Sequence, residues 1–238
     1  MISQLNLGGL TVDVALKNIK NVHLSVHPPT GKVRISAPER MKLDTIRVFA
    51  ISKLDWIRRQ QAALRAQERE APRDFVERES HYVWGKRYLL TVDEREAPPT
   101  IELTHNRLVL GIRPETGTAR RDELVEEWYR AQIRAAVPQL LVRWQPLLGV
   151  ELERFFVQRM KTKWGSCNHQ ARTVRLNTEL AKKPVECLEY IVVHELVHLL
   201  EPTHNARFVA LMDRFMPRWT HHRRVLNRLP VRREKWTY

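Results

Sequence analysis

The chain has only two cysteines, Cys167 and Cys187, in 238 residues. That count excludes a disulfide framework, and the lack of any CxxC pair excludes a zinc ribbon. No stretch approaches the roughly 18 consecutive apolar residues of a membrane span. Met1 to Leu16 lacks a basic start, an apolar block and a small-residue cleavage site, so no secretory signal is expected. Two thiols without an export signal imply the reducing cytoplasm. Acidic residues are in short supply, with 27 Asp and Glu against 41 Lys and Arg. The net charge of +14 favours polyanionic partners, and non-specific association with DNA or RNA is expected. No internal repeat and no low-complexity tract is visible.

What is present is the composition of a folded protein, 43% hydrophobic and 29% charged. The length fits one large domain or two small ones. The first third alternates with period two at Leu10–Val14, Val22–Val26 and Lys32–Ser36, which predicts strands, with a turn at Pro28-Pro29-Thr30-Gly31. Leu43, Ile46, Phe49, Ala50, Leu54 and Ile57 recur at helical spacing and predict one helix over 43–66, with Asp44 as its N-cap. Glu68 to Ser80 is a charged connector. Strands follow at Tyr82–Trp84, Arg87–Val92, Ile101–Thr104 and Leu108–Ile112. Gly117–Arg120 reads as a boundary. Beyond it come a long helix through Leu124, Trp128, Ile133 and Val137, kinked at Pro138, and strands near Phe155–Met160 and Thr173–Leu176. An apolar helix over 184–200 starts with Pro184 at its first position, and a last helix spans 205–215. The remainder from Arg218 is an Arg-rich tail. The expected organisation is α+β: a β-rich N-terminal region with one long helix at 1–116, and a second domain with a basic tail at 117–238.

The chemistry is concentrated in Ile191-Val192-Val193-His194-Glu195-Leu196-Val197-His198-Leu199-Leu200. His194 and His198 are four residues apart, so they leave one helix face on successive turns and can meet one metal ion. Zinc suits two imidazoles and a tetrahedral site with an open position. Glu195 projects about 100° round the helix from His194, where it can reach a metal-bound water without ligating the metal. Every other residue from 191 to 200 is apolar, so this helix is expected to be buried nearly all round. Three titratable groups in such a helix need compensation, and a metal supplies it.

Two histidines need a third protein ligand. His204 is the best candidate, because Pro202 stops the helix and lets Thr203-His204 fold back. Thr203 would cap the next helix. Glu201, Glu179, His169 and Cys167 compete for the ligand role. Trp164-Gly165-Ser166-Cys167 reads as a strand end entering a tight turn that lines a substrate cleft, where a peptide can add as a strand. Asn177 is a further cleft candidate or a turn holder. Tyr190, His221 and His222 are candidates for stabilising an oxyanion.

With these residues in view, the sequence resembles the YgjP-like metallopeptidase domain family, relatives of the SprT-like zinc peptidases. The resemblance rests on Met160-Lys161-Thr162-Lys163-Trp164-Gly165-Ser166-Cys167, Leu176-Asn177, Pro184, Tyr190 to Leu199, His204 and Phe208. It extends upstream through Val33–Pro38, Trp56-Ile57, Gly85 and Trp128-Tyr129. It implies a zincin-like metallopeptidase domain, zinc (Zn2+) at His194, His198 and His204, Glu195 as general base, and a peptide or protein substrate. Lys163 stands where the family often has Arg, and Val209 where an aromatic often follows Phe208. The ligand spacing also matches metzincins, but Glu201 occupies their turn glycine. Two other readings compete. One is a DNA-associated protease using Arg218, Arg223, Arg224, Arg228, Arg232, Arg233 and Lys235 with Trp219 and Trp236 for stacking. The other is a non-enzymatic nucleic-acid-binding module whose structural zinc is closed by Cys167 or His169.

Overall fold

The computed structural model describes residues 2–27, 30–66 and 70–230. They divide into two compact units, and the chain passes from one to the other at residues 69–70. The division read from the sequence, at 116–117, is therefore displaced. The strands between residues 80 and 112 share one core with the helices that follow, through Leu90, Leu110, Ile133 and Val193 among others.

In the first unit, β1 (Ile2–Leu7), β2 (Leu10–Lys17), β3 (His23–His27) and β4 (Lys32–Pro38) form a sheet in the order β1-β2-β4-β3. The central pair is parallel and the outer pairs are antiparallel. Val12, Val14, Val33 and Ile35 alternate onto its buried face with Ile46, Ala50 and Ile57. The single helix expected over 43–66 is two, α1 (Leu43–Ser52) and α2 (Leu54–Ala66). Ser52 donates its hydroxyl back to the Phe49 carbonyl (2.8 Å) and Lys53 N–H bonds Ala50 O (3.1 Å), which tightens and ends the first helix. Asp44 sits in the first turn and does not cap, the N-cap being Lys42. Pro28 and Pro29 lie outside the described residues.

The second unit opens with the same strand pattern. β5 (Ser80–Val83), β6 (Lys86–Glu94), β7 (Thr100–Leu103) and β8 (Arg107–Ile112) lie in the order β5-β6-β8-β7, again with a parallel centre. Each sheet begins with a hairpin whose two loop residues have positive φ: Gly8 and Gly9 at 58° and 89°, Trp84 and Gly85 at 49° and 79°. Such loops match the twist of the strands they join. This repeat of topology has no counterpart in a visible sequence repeat. Gly85 also has to be small, because a Cβ there would lie 3.0 Å from Pro184 Cγ and 3.1 Å from Pro184 N.

Helix α3 (Thr118–Leu148) runs through Pro138 without ending, and Gly149 closes it in the left-handed conformation at φ 65°. β9 (Arg154–Gln158), β10 (Gly165–Asn168) and β11 (Thr173–Asn177) form a three-stranded sheet in the order β10-β11-β9, with β10 at an edge. A short 3-10 helix, Thr178–Lys182, leads into α4 (Val185–Val197), which packs against α3, β10, β11, α5 (Ala206–Phe215) and α6 (Trp219–Arg228). Pro184 is the N-cap of α4, one position earlier than expected. The presumed tail carries α6, because Trp219 and Leu226 are both buried in the core. Arg232, Arg233, Lys235 and Trp236 lie outside the described residues. No helix among the described residues is long and apolar enough to cross a membrane.

Candidate metal centre and cleft

Helix α4 is buried nearly all round, as its composition predicts: Leu188, Ile191, Val192, Val193, Leu196 and Val197 all belong to the core. Its last turn carries His194 and His198. The chain then turns through 198–201, and the loop before α5 brings His204 back over them. His204 Nε2 lies 3.0 Å from His194 Nε2 and 3.2 Å from His198 Nε2. Among the described residues this trio is the one cluster of three metal-ligating side chains. Pro202 lies in the reversal, but Asn205, not Thr203, caps α5, accepting from Phe208 N–H (3.0 Å). Thr203 instead donates its hydroxyl to Glu201 Oε1 at 2.9 Å.

The donor set fits a metal ion. Metal–nitrogen bonds of about 2.0–2.1 Å in a tetrahedral shell place neighbouring nitrogens roughly 3.3 Å apart, close to the separations found. Burial, the other two histidines and Arg223 push His194 down to about 3, and burial foremost lowers His198 and His204 as well, so all three imidazoles are neutral at neutral pH and free to ligate. His198 Nδ1 lies 3.0 Å from the Glu201 carbonyl oxygen, which only accepts. The proton therefore sits on Nδ1 and leaves the Nε2 lone pair for a metal. Glu201 contributes this backbone carbonyl, and its side chain is turned to Thr203. Phe208 packs against all three rings at 4.7–4.9 Å between centroids.

Glu195 is 4% exposed, and burial pushes its carboxyl up to about 8 against the opposing influence of Lys163. A cleft of about 790 Å³ opens over Glu195 and the three histidines. Trp164 lines it, together with Gly165, Ser166 and Cys167 on an edge strand that begins at Gly165 rather than ending there. Glycine is required at 165 because of Glu195: a Cβ would stand 2.6 Å from its Oε1 and 2.9 Å from its Cγ. Burial, then Glu195, raises the Cys167 thiol to about 11, so it is not a thiolate ligand at neutral pH.

Asn177 is brought to the frame of the cleft and not to its lining. It is buried, donates Nδ2 to the carbonyls of Met160 (2.8 Å) and Lys163 (2.7 Å), and accepts from Glu179 N–H (3.1 Å). Glu179 is tied to Lys182 at 2.7 Å, away from the histidines. Tyr190 and His169 line the cleft, while His221 and His222 do not. The sequence reading missed Lys163 and the α6 face of Trp219, Arg223, Leu226 and Asn227 as lining residues. The signal was there: positions 219, 223, 226 and 227 share one helical face. Trp219, 8% exposed with its Nε1 donating to Asp213 (2.7 Å), is a structural anchor and not a free stacking platform.

Residues 20–229 match the YgjP-like, metallopeptidase domain family, and the chain belongs to it. No curated protein matches the chain. Among solved structures it is similar to the metallopeptidase zymogen of Pyrococcus abyssi abylysin, at 22% identity and a TM-score of 0.36, over 41% of this chain and 99% of that one. It is also similar to the metallopeptidase zymogen of Methanocaldococcus jannaschii jannalysin, at 23% identity and a TM-score of 0.33, over 40% of this chain and 92% of that one.

Proposed function

We propose that the chain is a cytoplasmic zinc peptidase with a zincin-like catalytic region, held together by His194, His198 and His204 and served by Glu195 as general base. The observation that carries this reading is the convergence of three neutral imidazole Nε2 atoms beside one buried carboxyl. Two borderline-soft nitrogens on a helix plus one from the returning loop suit zinc among the common divalent ions. Zinc supplies a Lewis acid that lowers the pKa of water and polarises a carbonyl. Glu195 takes a proton on its carboxylate and returns it to the leaving amine. Its apolar surroundings, Ile191 included, favour the protonated form, while Lys163 and a bound zinc would favour the carboxylate that first takes the proton. The free edge of β10 offers backbone groups to an extended peptide, with Trp164 beside it. Both cysteines are free thiols, in keeping with a reducing compartment.

The test is the metal content of purified protein beside its variants. About one zinc per chain is expected, with a sharp loss in His204→Ala. Glu195→Gln is expected to keep the metal and lose peptide hydrolysis by about 10²–10⁴-fold. Full zinc in His204→Ala moves the third ligand elsewhere, and retained hydrolysis in Glu195→Gln ends the reading of Glu195 as the base.

A further inference from the structure

The cleft is electrically one-sided. Glu195 is the one carboxylate among its lining residues, whereas Lys163 and Arg223 bring two cations. Among the described residues neither cation forms an ion pair. The partner of Arg223 is the Trp219 ring, 6.0 Å from its guanidinium carbon, and that ring is pinned to Asp213. Lys163 stands immediately before β10, with its carbonyl held by Asn177. Both cations therefore rise from fixed backbone. They come from different elements, Lys163 from the loop before β10 and Arg223 from α6. Lys163 acts electrostatically on Glu195, and Arg223 on Tyr190, His194 and His204.

Unpaired cations facing a concave, partly apolar site repel each other's neighbours and concentrate anions. We propose that Lys163 and Arg223 are specificity residues that select substrates with carboxylate side chains near the bond to be cut, so that the substrates are acidic peptides or acidic segments of proteins. This rests on the peptide-cleaving reading of the cleft. Two cations from separate elements, the loop before β10 and α6, give an acidic strand lying in the cleft two carboxylate partners. Guanidinium at position 223 adds the planar fork that pairs with a carboxylate through two hydrogen bonds.

The experiment uses matched peptides, blocked at both ends, with Glu, Gln or Lys flanking a common centre. Hydrolysis is followed with zinc-loaded wild-type protein, and binding is followed by fluorescence anisotropy with full-length Glu195→Gln protein. The Glu peptide is expected to be preferred over the Gln peptide by about fivefold for each flanking carboxylate. Arg223→Gln and Lys163→Gln should each reduce the preference by about fivefold, and Arg223→Lys should restore part of it. Arg58→Gln with Arg59→Gln, exposed on α2, controls for the overall charge and should leave the preference intact. Equal use of the Glu and Gln peptides, or a preference untouched by both cleft variants, overturns the inference. Hydrolysis without charge selectivity leaves the peptidase reading in place and removes this one. Acid-selective binding that Arg223→Gln abolishes, with no hydrolysis of any peptide, does the reverse.

Discussion

Gly165 and Glu195 show how one missing atom controls a reactive group. The strand backbone at 165 approaches the helix so closely that any side chain would occupy the space of the Glu195 carboxyl or of Ile191 Cγ2, 2.9 Å away. Gly165→Ala is therefore expected to displace Glu195 and to cost about 1–3 kcal/mol, the usual range for overpacking a buried site. Hydrolysis should fall far more than zinc content, because the three histidines do not touch position 165. Urea unfolding, metal analysis and kinetics on one preparation check this, and unchanged kinetics would show that Glu195 has room to spare. At this scale much was legible. His194, Glu195 and His198 follow from a helical period and the cost of burying polar groups, and His204 follows from Pro202. Lys163 and Arg223 were not legible as cleft residues, since nothing in one chain's local pattern says which distant surfaces face each other.

Elements hold the site through buried polar ties. Asn177 joins β11 to the loop that carries Lys163 and Trp164, and it starts the 3-10 helix. Asn177→Ala would orphan the buried Glu179 amide and leave two half-buried carbonyls to water, so a loss of about 1–3 kcal/mol is expected. Asn177→Asp should be no better, since it removes the two N–H donors. Behind the 3-10 helix, Lys182 bonds Glu179 and reaches Glu70 at 3.4 Å, while His81 is fully buried against Phe75. His81 Nε2 lies 3.1 Å from Glu79 Oε1 without the alignment of a hydrogen bond. Burial first, then Arg73 and Lys182, depress His81 from 6.5 to about 3. Its folded pKa is below its unfolded one, so the stability it contributes is present above about 6.5 and drains away as pH falls toward 3. Urea midpoints should drop between pH 7 and pH 5, and His81→Phe should flatten that slope; an equal slope in both proteins would place the acid sensitivity elsewhere. Helices and most strands were readable from period and turn residues. The break at Lys53, the strand at Gly165 and the helix at Trp219 were not, because each depends on a tertiary or side-chain bond that overrides local pattern.

At the scale of the whole molecule, two units start from the same four-stranded topology, yet only the second carries the cleft. The sequence boundary at 116–117 followed a change from strand to helix period, whereas the compact unit is set by which faces bury each other. Charge, by contrast, is a property the sequence states directly. A net +14 on 238 residues favours polyanions as partners, and α6 with its N-cap exposes Arg218, Arg223, Arg224 and Arg228. Base recognition by stacking has lost Trp219 to the core, so phosphate contact is what the described part of this surface offers. Binding to duplex DNA is therefore expected to be indifferent to sequence. If these four arginines each neutralise one phosphate, affinity should fall about 100-fold between 50 and 200 mM salt, from a slope near −0.9 per contact. Anisotropy titrations with two unrelated duplexes at several salt concentrations measure both quantities. Sequence preference or a shallow salt slope would mean that a built nucleic-acid site exists. The accompanying kinetic expectation follows from the cleft: Arg223 is shared between this surface and the proposed acidic-substrate site, so DNA should raise KM for acidic peptides and leave kcat alone. Stimulated turnover would instead point to a protease regulated by the nucleic acid it sits on.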